Sequence, residues 1–198
     1  MRHRAPWIAL VVFTIATANA RAEQTLVFLR HGEKPPGGLG QLTCQGFNRA
    51  LELPTVLVAK FGKPDYLYAP SPAVQVSDSA GMFYYVRPLA TLEPTAVKLG
   101  MPVRTKYGYT DIATVQAALV TPTKANKTIF VAWEHAQMQK LVQNIMNKYG
   151  GGARVPAWIY GDYDTLFVVR VEYTGSTAVA RFQLDKQGLN GQPTTCPF

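Results

Sequence analysis

The feature of this sequence that most restricts its fold is an alternation of short apolar runs with segments of helical periodicity. Residues 25–29 (TLVFL) form the first run, whose continuous β-branched, aliphatic and aromatic character is typical of a strand buried on both faces. The other predicted strands are residues 65–69, 128–133, 165–172 and 177–184, and the predicted helices are residues 42–61, 88–99 and 136–149. This order predicts a three-layer α/β/α fold with a mostly parallel central sheet and an antiparallel C-terminal edge hairpin.

Several residues mark where these elements begin and end. Thr43 is placed to cap the first predicted helix, and Pro54 inside that helix is expected to kink or divide it. Pro88 opens the second predicted helix, and Gly100 ends it. Residues 73–86 fit neither the strand nor the helix pattern, so the sequence leaves this segment unassigned.

The first 22 residues have the pattern of a secretory leader. Arg2 and Arg4 precede an apolar run at residues 7–16, and small residues at positions 18–22 offer two cleavage sites. A membrane-spanning helix needs about 20 apolar residues, so a permanent N-terminal anchor fits this shorter run less well. We therefore expect a cleaved signal peptide at residues 1–22 and no stable membrane insertion after cleavage.

The remaining residues, 23–198, are enough for one domain with a sizeable core and too few for two. The full chain has 20 Lys and Arg against 12 Asp and Glu, and loss of Arg2, Arg4 and Arg21 leaves 17 against 12, a net charge of about +5. Such an excess attracts anionic substrates to a cleft. The chain has no run of basic residues and no basic-aromatic stripe, so nucleic-acid binding is not expected. The expected location is the periplasm or the extracellular medium.

Two cysteines, Cys44 and Cys196, lie near opposite ends of the mature chain. In an exported protein, a pair of this kind is typical of a disulfide that ties the C-terminal tail to the body of the domain. Their spacing does not match a metal site. A disulfide is favoured, and a free thiol is the alternative.

Charged and imidazole side chains follow two of the predicted strands. Arg30 and His31 come directly after the first strand, and Glu134 and His135 follow the strand at residues 128–133. Ligands of open α/β sheets bind outside the carboxyl ends of the strands. If the two strands are neighbours, both histidines meet at one crevice, where backbone N–H groups at the start of a loop or helix also attract an anion.

Four segments together resemble the histidine phosphatase superfamily, which includes phosphoglycerate mutase-like and acid phosphatase-like enzymes. They are LRHGEKP at residues 29–35, LTCQGFNRA at residues 42–50, RPLATLEPTA at residues 87–96 and VAWEHAQ at residues 131–137. The resemblance extends over about residues 25–150. The Arg-His-Gly triplet at a strand end is a fairly specific signal when the other three segments follow it in this order.

The resemblance implies hydrolysis of a phosphomonoester through a phosphohistidine intermediate on His31. Arg30, Arg87 and His135 would surround the phosphoryl oxygens, a role suited to arginine because its guanidinium donates two parallel hydrogen bonds. A neutral imidazole is a competent nucleophile near neutral pH. The implied ligands are a small-molecule or surface phosphomonoester and inorganic phosphate, and no cofactor or metal is implied.

The residues that follow His31 receive supporting roles in this interpretation. Gly32 is expected to let the chain turn sharply without a side chain that would block the pocket. Glu33 is expected to orient His31 or Arg30 by a hydrogen bond. Lys34 either reaches a second anionic group of the substrate or is solvated.

The sequence does not identify the acid that protonates the leaving group. In one branch of the superfamily an acidic residue directly follows the second histidine, whereas this chain has Ala136 after His135. In the other branch the acid lies in a glutamate-glycine context that is absent here. Glu134 is the first candidate, and Asp78 and Asp111 are the next.

Two other functions are compatible with these residues. The same fold could hold phosphate or a phosphorylated glycan with little or no turnover, and hydrolysis of an aryl phosphate would distinguish an enzyme from such a binding protein. A metal site built from His31, His135, Glu33 and Glu134 is chemically suitable for zinc, although the four residues lack the spacing of ligands on one helix.

Overall fold

The computed structural model describes residues 22–198, in which six strands form one sheet and two more form a separate hairpin. The strands are β1 (Ala22–Arg30), β2 (Tyr66–Tyr68), β3 (Gln75–Asp78), β4 (Gly81–Tyr84), β5 (Val103–Arg104), β6 (Thr128–Trp133), β7 (Thr165–Thr174) and β8 (Thr177–Lys186). The helices are α1 (Cys44–Phe61), α2 (Arg87–Leu99), α3 (Ile112–Leu119) and α4 (His135–Tyr149), with a short 3-10 turn at Pro122–Lys124. The predicted leader, apart from its last residue, lies outside the described residues.

The main sheet has the strand order β5-β2-β6-β1-β7-β8. β5, β2, β6 and β1 run parallel, whereas β7 pairs antiparallel with β1 and β8 pairs antiparallel with β7 at the sheet edge. The predicted α/β class and the antiparallel C-terminal hairpin are confirmed. Arg30 lies opposite Trp133 in the β1–β6 register, so both strands end at the same level of the sheet.

Two apolar cores cover the two faces of the sheet. On one face, Leu26 and Phe28 of β1 pack with buried residues of α3 and α4. On the other, Val27 and Leu29 pack with residues of α1 and α2. Side chains of a strand point alternately to opposite faces, so the continuous apolar run of β1 supplies both cores. This arrangement confirms the predicted three layers.

Two predictions concern helix α1, namely its cap at Thr43 and the effect of Pro54. Thr43 caps the helix, since its hydroxyl accepts the Gly46 N–H at 3.1 Å. Pro54 does not divide the helix, because α1 continues through it from Cys44 to Phe61, and the kink stays a prediction. The Pro54 side chain is buried on the core-facing side, and burial of its ring helps to offset the missing backbone hydrogen bond.

The unassigned segment 73–86 contains the β3–β4 hairpin, which forms its own two-stranded sheet. Its strands have four residues each and expose most of their side chains, so they lack a marked alternation of apolar and polar residues. β5 and α3 were also not predicted. β5 has only two residues, and no side chain caps the start of α3.

The C-terminal tail is fastened to the start of α1. Cys44 and Cys196 form a disulfide, as predicted. Nearby, the Asn48 side-chain amide donates to the carbonyl oxygens of Pro193 and Thr195, both at 2.8 Å. The tail is therefore held by hydrogen bonds as well as by the covalent link. Among residues 22–198, no helix is both long enough and apolar enough to cross a bilayer.

Arg49 of α1 joins four segments beneath the loop that follows β1. Its guanidinium lies 2.7 Å from Glu33, 3.0 Å from the Gln187 side-chain oxygen and 3.5 Å from Asp164. The Arg49 side chain is only 1% exposed. Since both carboxylates depend on one buried cation, loss of that cation leaves them without compensation.

We expect Arg49→Met to lower the free energy of unfolding by about 3–5 kcal/mol, because the substitution keeps much of the side-chain length but leaves Glu33 and Asp164 without their cation. Urea unfolding followed by circular dichroism measures the change. Arg170→Met is the matched control, because the Arg170–Glu23 pair is exposed on both sides and should contribute about 1 kcal/mol or less. Equal effects of the two substitutions would contradict the structural role of Arg49.

Candidate active site

A cavity of about 210 Å³ opens at the carboxyl ends of β1 and β6. Six of the seven predicted site residues line it: Arg30, His31, Lys34, Arg87, Glu134 and His135. Asp78, Val76 and Ser77 from β3 and Tyr109 from the loop before α3 complete the lining. The crevice predicted from the strand ends is therefore present, and the β3–β4 hairpin forms a wall that the sequence did not reveal.

His31 lies at the base of the cavity with 2% of its surface exposed. Its Nδ1 lies 2.7 Å from the Gly32 carbonyl oxygen, an acceptor, so Nδ1 carries the proton. Nε2 then has a free lone pair. Burial, reinforced by the positive charges of Arg87 and Arg30, lowers the His31 pKa to about 3. The imidazole is thus neutral at physiological pH and has the tautomer that a nucleophilic Nε2 requires.

The position after His31 requires glycine because of a close approach between two backbones. A Cβ atom on Gly32 would lie 2.7 Å from the carbonyl oxygen of Gly46 in the first turn of α1. The Gly32 N–H donates to the Thr91 hydroxyl at 2.9 Å, which fixes the loop to α2. Gly32 therefore allows α1 to pack closely against the loop. This packing role differs from the sharp turn that the sequence predicts.

Arg30 lies at the end of β1 and is fully buried. Its Nη1 donates to the backbone carbonyl oxygens of Tyr160 and Asp162, and its guanidinium carbon lies 4.1 Å from the centre of the Tyr163 ring. Among residues 22–198, Nε and Nη2 have no hydrogen-bond partner. Buried donors without a partner are costly in a folded protein, so these two N–H groups are available to a ligand oxygen.

Arg87 is the first residue of α2 and reaches the cavity from the opposite side. Its Nη1 lies 2.6 Å from one oxygen of Asp78, and its Nη2 lies 3.3 Å from the other. Nη1 also donates to the Gly38 carbonyl oxygen, whereas the buried Nε has no partner. Lys34 Nζ lies 3.4 Å from the same Asp78 carboxylate. Hydrogen bonding to Arg87 and Gly40 keeps the Asp78 pKa below its usual value despite the opposing effect of burial.

Glu134 and His135 begin α4 at the end of β6. The Glu134 carboxylate caps the helix by accepting the N–H groups of Ala136 at 3.0 Å and Gln137 at 2.7 Å. His135 Nδ1 lies 2.7 Å from Glu134 Oε1, in a contact that falls outside hydrogen-bond geometry. Burial alone would raise the Glu134 pKa, but the nearby His135 and the two backbone donors lower it to about 2.

The contacts of Glu33 differ from those that we predict from the sequence. Its carboxylate accepts hydrogen bonds from Arg49 Nε at 3.0 Å and Nη2 at 2.7 Å, so it faces α1 and is not among the residues that line the cavity. The prediction that Glu33 orients His31 or Arg30 is therefore wrong. Adjacency in sequence placed Glu33 near the site but did not reveal its partner, Arg49.

Asp111, the last candidate for the acid, lies outside the cavity lining. Its carboxylate accepts the Gly108 N–H at 2.8 Å. In the part of the chain that the structure describes, no group of three or more His, Cys, Asp and Glu side chains is arranged to hold a metal ion. The metal site considered for His31, His135, Glu33 and Glu134 thus has no geometric support there.

No family model and no curated protein sequence matches this chain. Solved structures do match its fold. A mycobacterial glucosyl-3-phosphoglycerate phosphatase, solved with inorganic phosphate, has a TM-score of 0.53 at 13% identity and covers 81% of this chain and 95% of its own. Phosphoglycerate mutase from Plasmodium falciparum has a TM-score of 0.52 at 11% identity, with coverages of 81% and 89%.

A phosphoserine phosphatase mutant from Entamoeba histolytica, in complex with phosphoserine, has a TM-score of 0.51 at 14% identity and covers 84% of this chain and 98% of its own. At these identities the likeness concerns the fold. It is the fold that the four sequence segments had suggested. The chain therefore has the phosphoglycerate mutase-like fold.

Proposed function

We propose that this protein is a phosphatase that hydrolyses a phosphomonoester through a phosphohistidine intermediate on His31. The observation that carries the proposal is a buried, neutral imidazole with a free Nε2 between two arginines whose Nε atoms have no partner. This arrangement supplies a nucleophile together with donors for phosphoryl oxygens. The solved neighbours named as phosphatases, one of them with bound inorganic phosphate, support the same reaction class.

In the first step, the His31 Nε2 lone pair forms a bond to phosphorus while the bond between phosphorus and the leaving-group oxygen breaks. The electron pair of that bond remains on the leaving oxygen, which takes a proton from water unless it is already stable as an anion. Arg30, Arg87 and His135 offset the negative charge on the three equatorial oxygens. The Gly32 carbonyl stabilises the Nδ1–H of the imidazole as it becomes cationic.

In the second step, a water molecule attacks phosphorus and the bond to Nε2 breaks. Inorganic phosphate leaves, the water proton passes to solvent, and His31 returns to its neutral form. The same donors serve both steps, because the phosphoryl group keeps its position while the groups at its two ends exchange. Each cycle thus consumes one ester and one water and releases one alcohol and one phosphate.

Export is the second part of the proposal. The charged, apolar and small-residue pattern of residues 1–22 and a Cys44–Cys196 disulfide both fit a periplasmic or secreted protein. An N-terminal sequence of the protein recovered from its producing cells would test the cleavage site. A mature N-terminus at position 1 would contradict export by this route.

A phosphate-binding protein with little turnover is the other candidate. One observation favours it: both carboxylates that line the cavity, Asp78 and Glu134, have lowered pKa values and hold no proton at neutral pH. An aryl phosphate needs no protonation of its leaving group, so an enzyme without an acid should still hydrolyse it slowly. Absence of any aryl phosphate hydrolysis would favour the binding protein.

We expect His31→Ala to reduce aryl phosphate hydrolysis by at least about 10³-fold, because it removes the attacking nitrogen. Brief reaction with a ³²P-labelled aryl phosphate, followed by quenching in base, should trap a labelled phosphoenzyme in the wild type. The variant should give no label. His135→Ala is the comparison, because it should slow the reaction but still give the base-stable, acid-labile label. Full activity in His31→Ala would exclude the covalent mechanism.

The depressed His31 pKa predicts a wide pH range of activity. Protonation of Nε2 removes the nucleophile, so activity is retained above the folded-state pKa and lost as pH falls through it, near 3 rather than near the ordinary 6.5. The acidic limb of kcat/KM should therefore lie below pH 5 after correction for ionisation of the substrate. NMR titration of the His31 imidazole in the free protein gives the same value directly. A midpoint at pH 6–7 would show that the site does not desolvate His31.

We infer that Glu134 positions His135 and α4 rather than donating a proton, because both of its oxygens accept helix N–H groups. Glu134→Gln should therefore lower the rates on an aryl and an alkyl phosphate by similar factors, about tenfold each. A general acid would give a different result, namely a loss of about 10²–10⁴-fold on the alkyl phosphate with little change on the aryl phosphate. That second pattern would restore Glu134 as the acid.

A further inference from the structure

A carboxylate, that of Asp78, lies against Arg87 in the lining of the cavity. Asp78 is 3% exposed and binds Arg87 through both oxygens, at 2.6 Å and 3.3 Å, while Lys34 lies 3.4 Å away. An arginine binds two oxygens of a phosphate through two N–H groups in this same bidentate manner. Asp78 therefore takes the position on Arg87 that two phosphoryl oxygens would otherwise occupy.

The surrounding backbone is shaped to receive this carboxylate. Gly38 has a φ of 78°, and a Cβ atom there would overlap the Asp78 carboxylate. The Gly38 carbonyl accepts from Arg87 Nη1 at 3.1 Å, and the Gly40 N–H donates to Asp78 at 3.1 Å. A side chain at position 38 would be both strained in the left-handed region and sterically excluded. The loop after β1 and the β3–β4 hairpin are thus matched to each other around Asp78.

The charges that line the cavity determine how the position of Asp78 affects the binding of an anion. Arg30, Arg87 and Lys34 are cations, and Asp78 is engaged with two of them. A phosphate dianion that approaches Arg87 must either displace the Asp78 carboxylate or lie beside it. Like charges at such short distance repel strongly where water is excluded. Binding of phosphate therefore has to overcome the interaction between Asp78 and Arg87.

We propose that Asp78 is a built-in competitor of phosphate that sets the affinity of this cavity for phosphoryl groups. An ester offsets the competition through contacts of its leaving group with the cavity walls, whereas inorganic phosphate has no such contacts. Asp78 thereby favours phosphoesters over the free phosphate ion and speeds departure of the product. This inference rests on the proposed function only in placing phosphate in this cavity.

Titration calorimetry with inorganic phosphate at pH 7 and low salt tests the proposal on the mature protein. Asp78→Asn keeps the shape of the side chain and removes its charge, and it should bind phosphate about tenfold more tightly than the wild type. Asp78→Ala should shift the affinity in the same direction, and circular dichroism checks that both variants fold. Asp185→Asn is the matched control, since it removes the same charge from an exposed pair with Lys60 and should change the affinity by less than about twofold.

The outcomes separate this proposal from the catalytic one. Tighter phosphate binding by the Asp78 variants without hydrolysis by any form would support the competitor and reject the phosphatase. Intact hydrolysis with unchanged or weaker phosphate binding in the folded variants would overturn the competitor alone. Equal gains in Asp78→Asn and Asp185→Asn would also overturn it, because the effect would then follow from net charge. Absence of phosphate binding in the wild type and in both Asp78 variants would overturn it as well.

Discussion

The parallel pairing of β1 with β6 is the constraint on which the candidate site depends. Arg30 lies opposite Trp133, so His31 and His135 leave the sheet at adjacent points of the same edge. A shift of one residue in either strand would turn every side chain to the opposite face and exchange the two cores. The apolar residues of both strands therefore hold the two histidines in register, and the chemistry of the site depends on packing some distance from it.

The second feature on which the site depends is the burial of His31, Arg30 and Arg87. A solvent-exposed histidine beside two arginines would still be partly protonated near neutral pH, whereas His31 is buried at the base of the cavity and is neutral. The same burial leaves three arginine donors, Nε and Nη2 of Arg30 and Nε of Arg87, without a partner. Buried donors without a protein partner are costly. A ligand with several oxygens, such as a phosphoryl group, would recover that cost.

The sequence predicted those elements whose signals are local. The β1 and β6 runs, the Thr43 cap and the β7–β8 hairpin depend on residues close together in the chain, and the structure contains all of them. The partners of Glu33 and Asp78 depend on contacts made across the fold, with Arg49 and Arg87 respectively. The spacing of residues in the sequence does not indicate either partner. The β3–β4 hairpin, which carries Asp78, lacks a clear pattern of apolar and polar residues and was therefore not predicted.

The cations that line the cavity explain why carboxylates lie in the same lining. Cations brought together in a poorly solvated cavity destabilise the folded chain unless opposite charges lie beside them. Asp78 compensates Arg87 and Lys34, and Glu134 lies against His135. These contacts stabilise the fold and oppose the binding of an anion at the same atoms. Under the function proposed above, stability of the fold and affinity for phosphate are therefore in direct conflict. The β3–β4 hairpin, outside the main sheet, is the element through which that balance can be altered with least effect on the core.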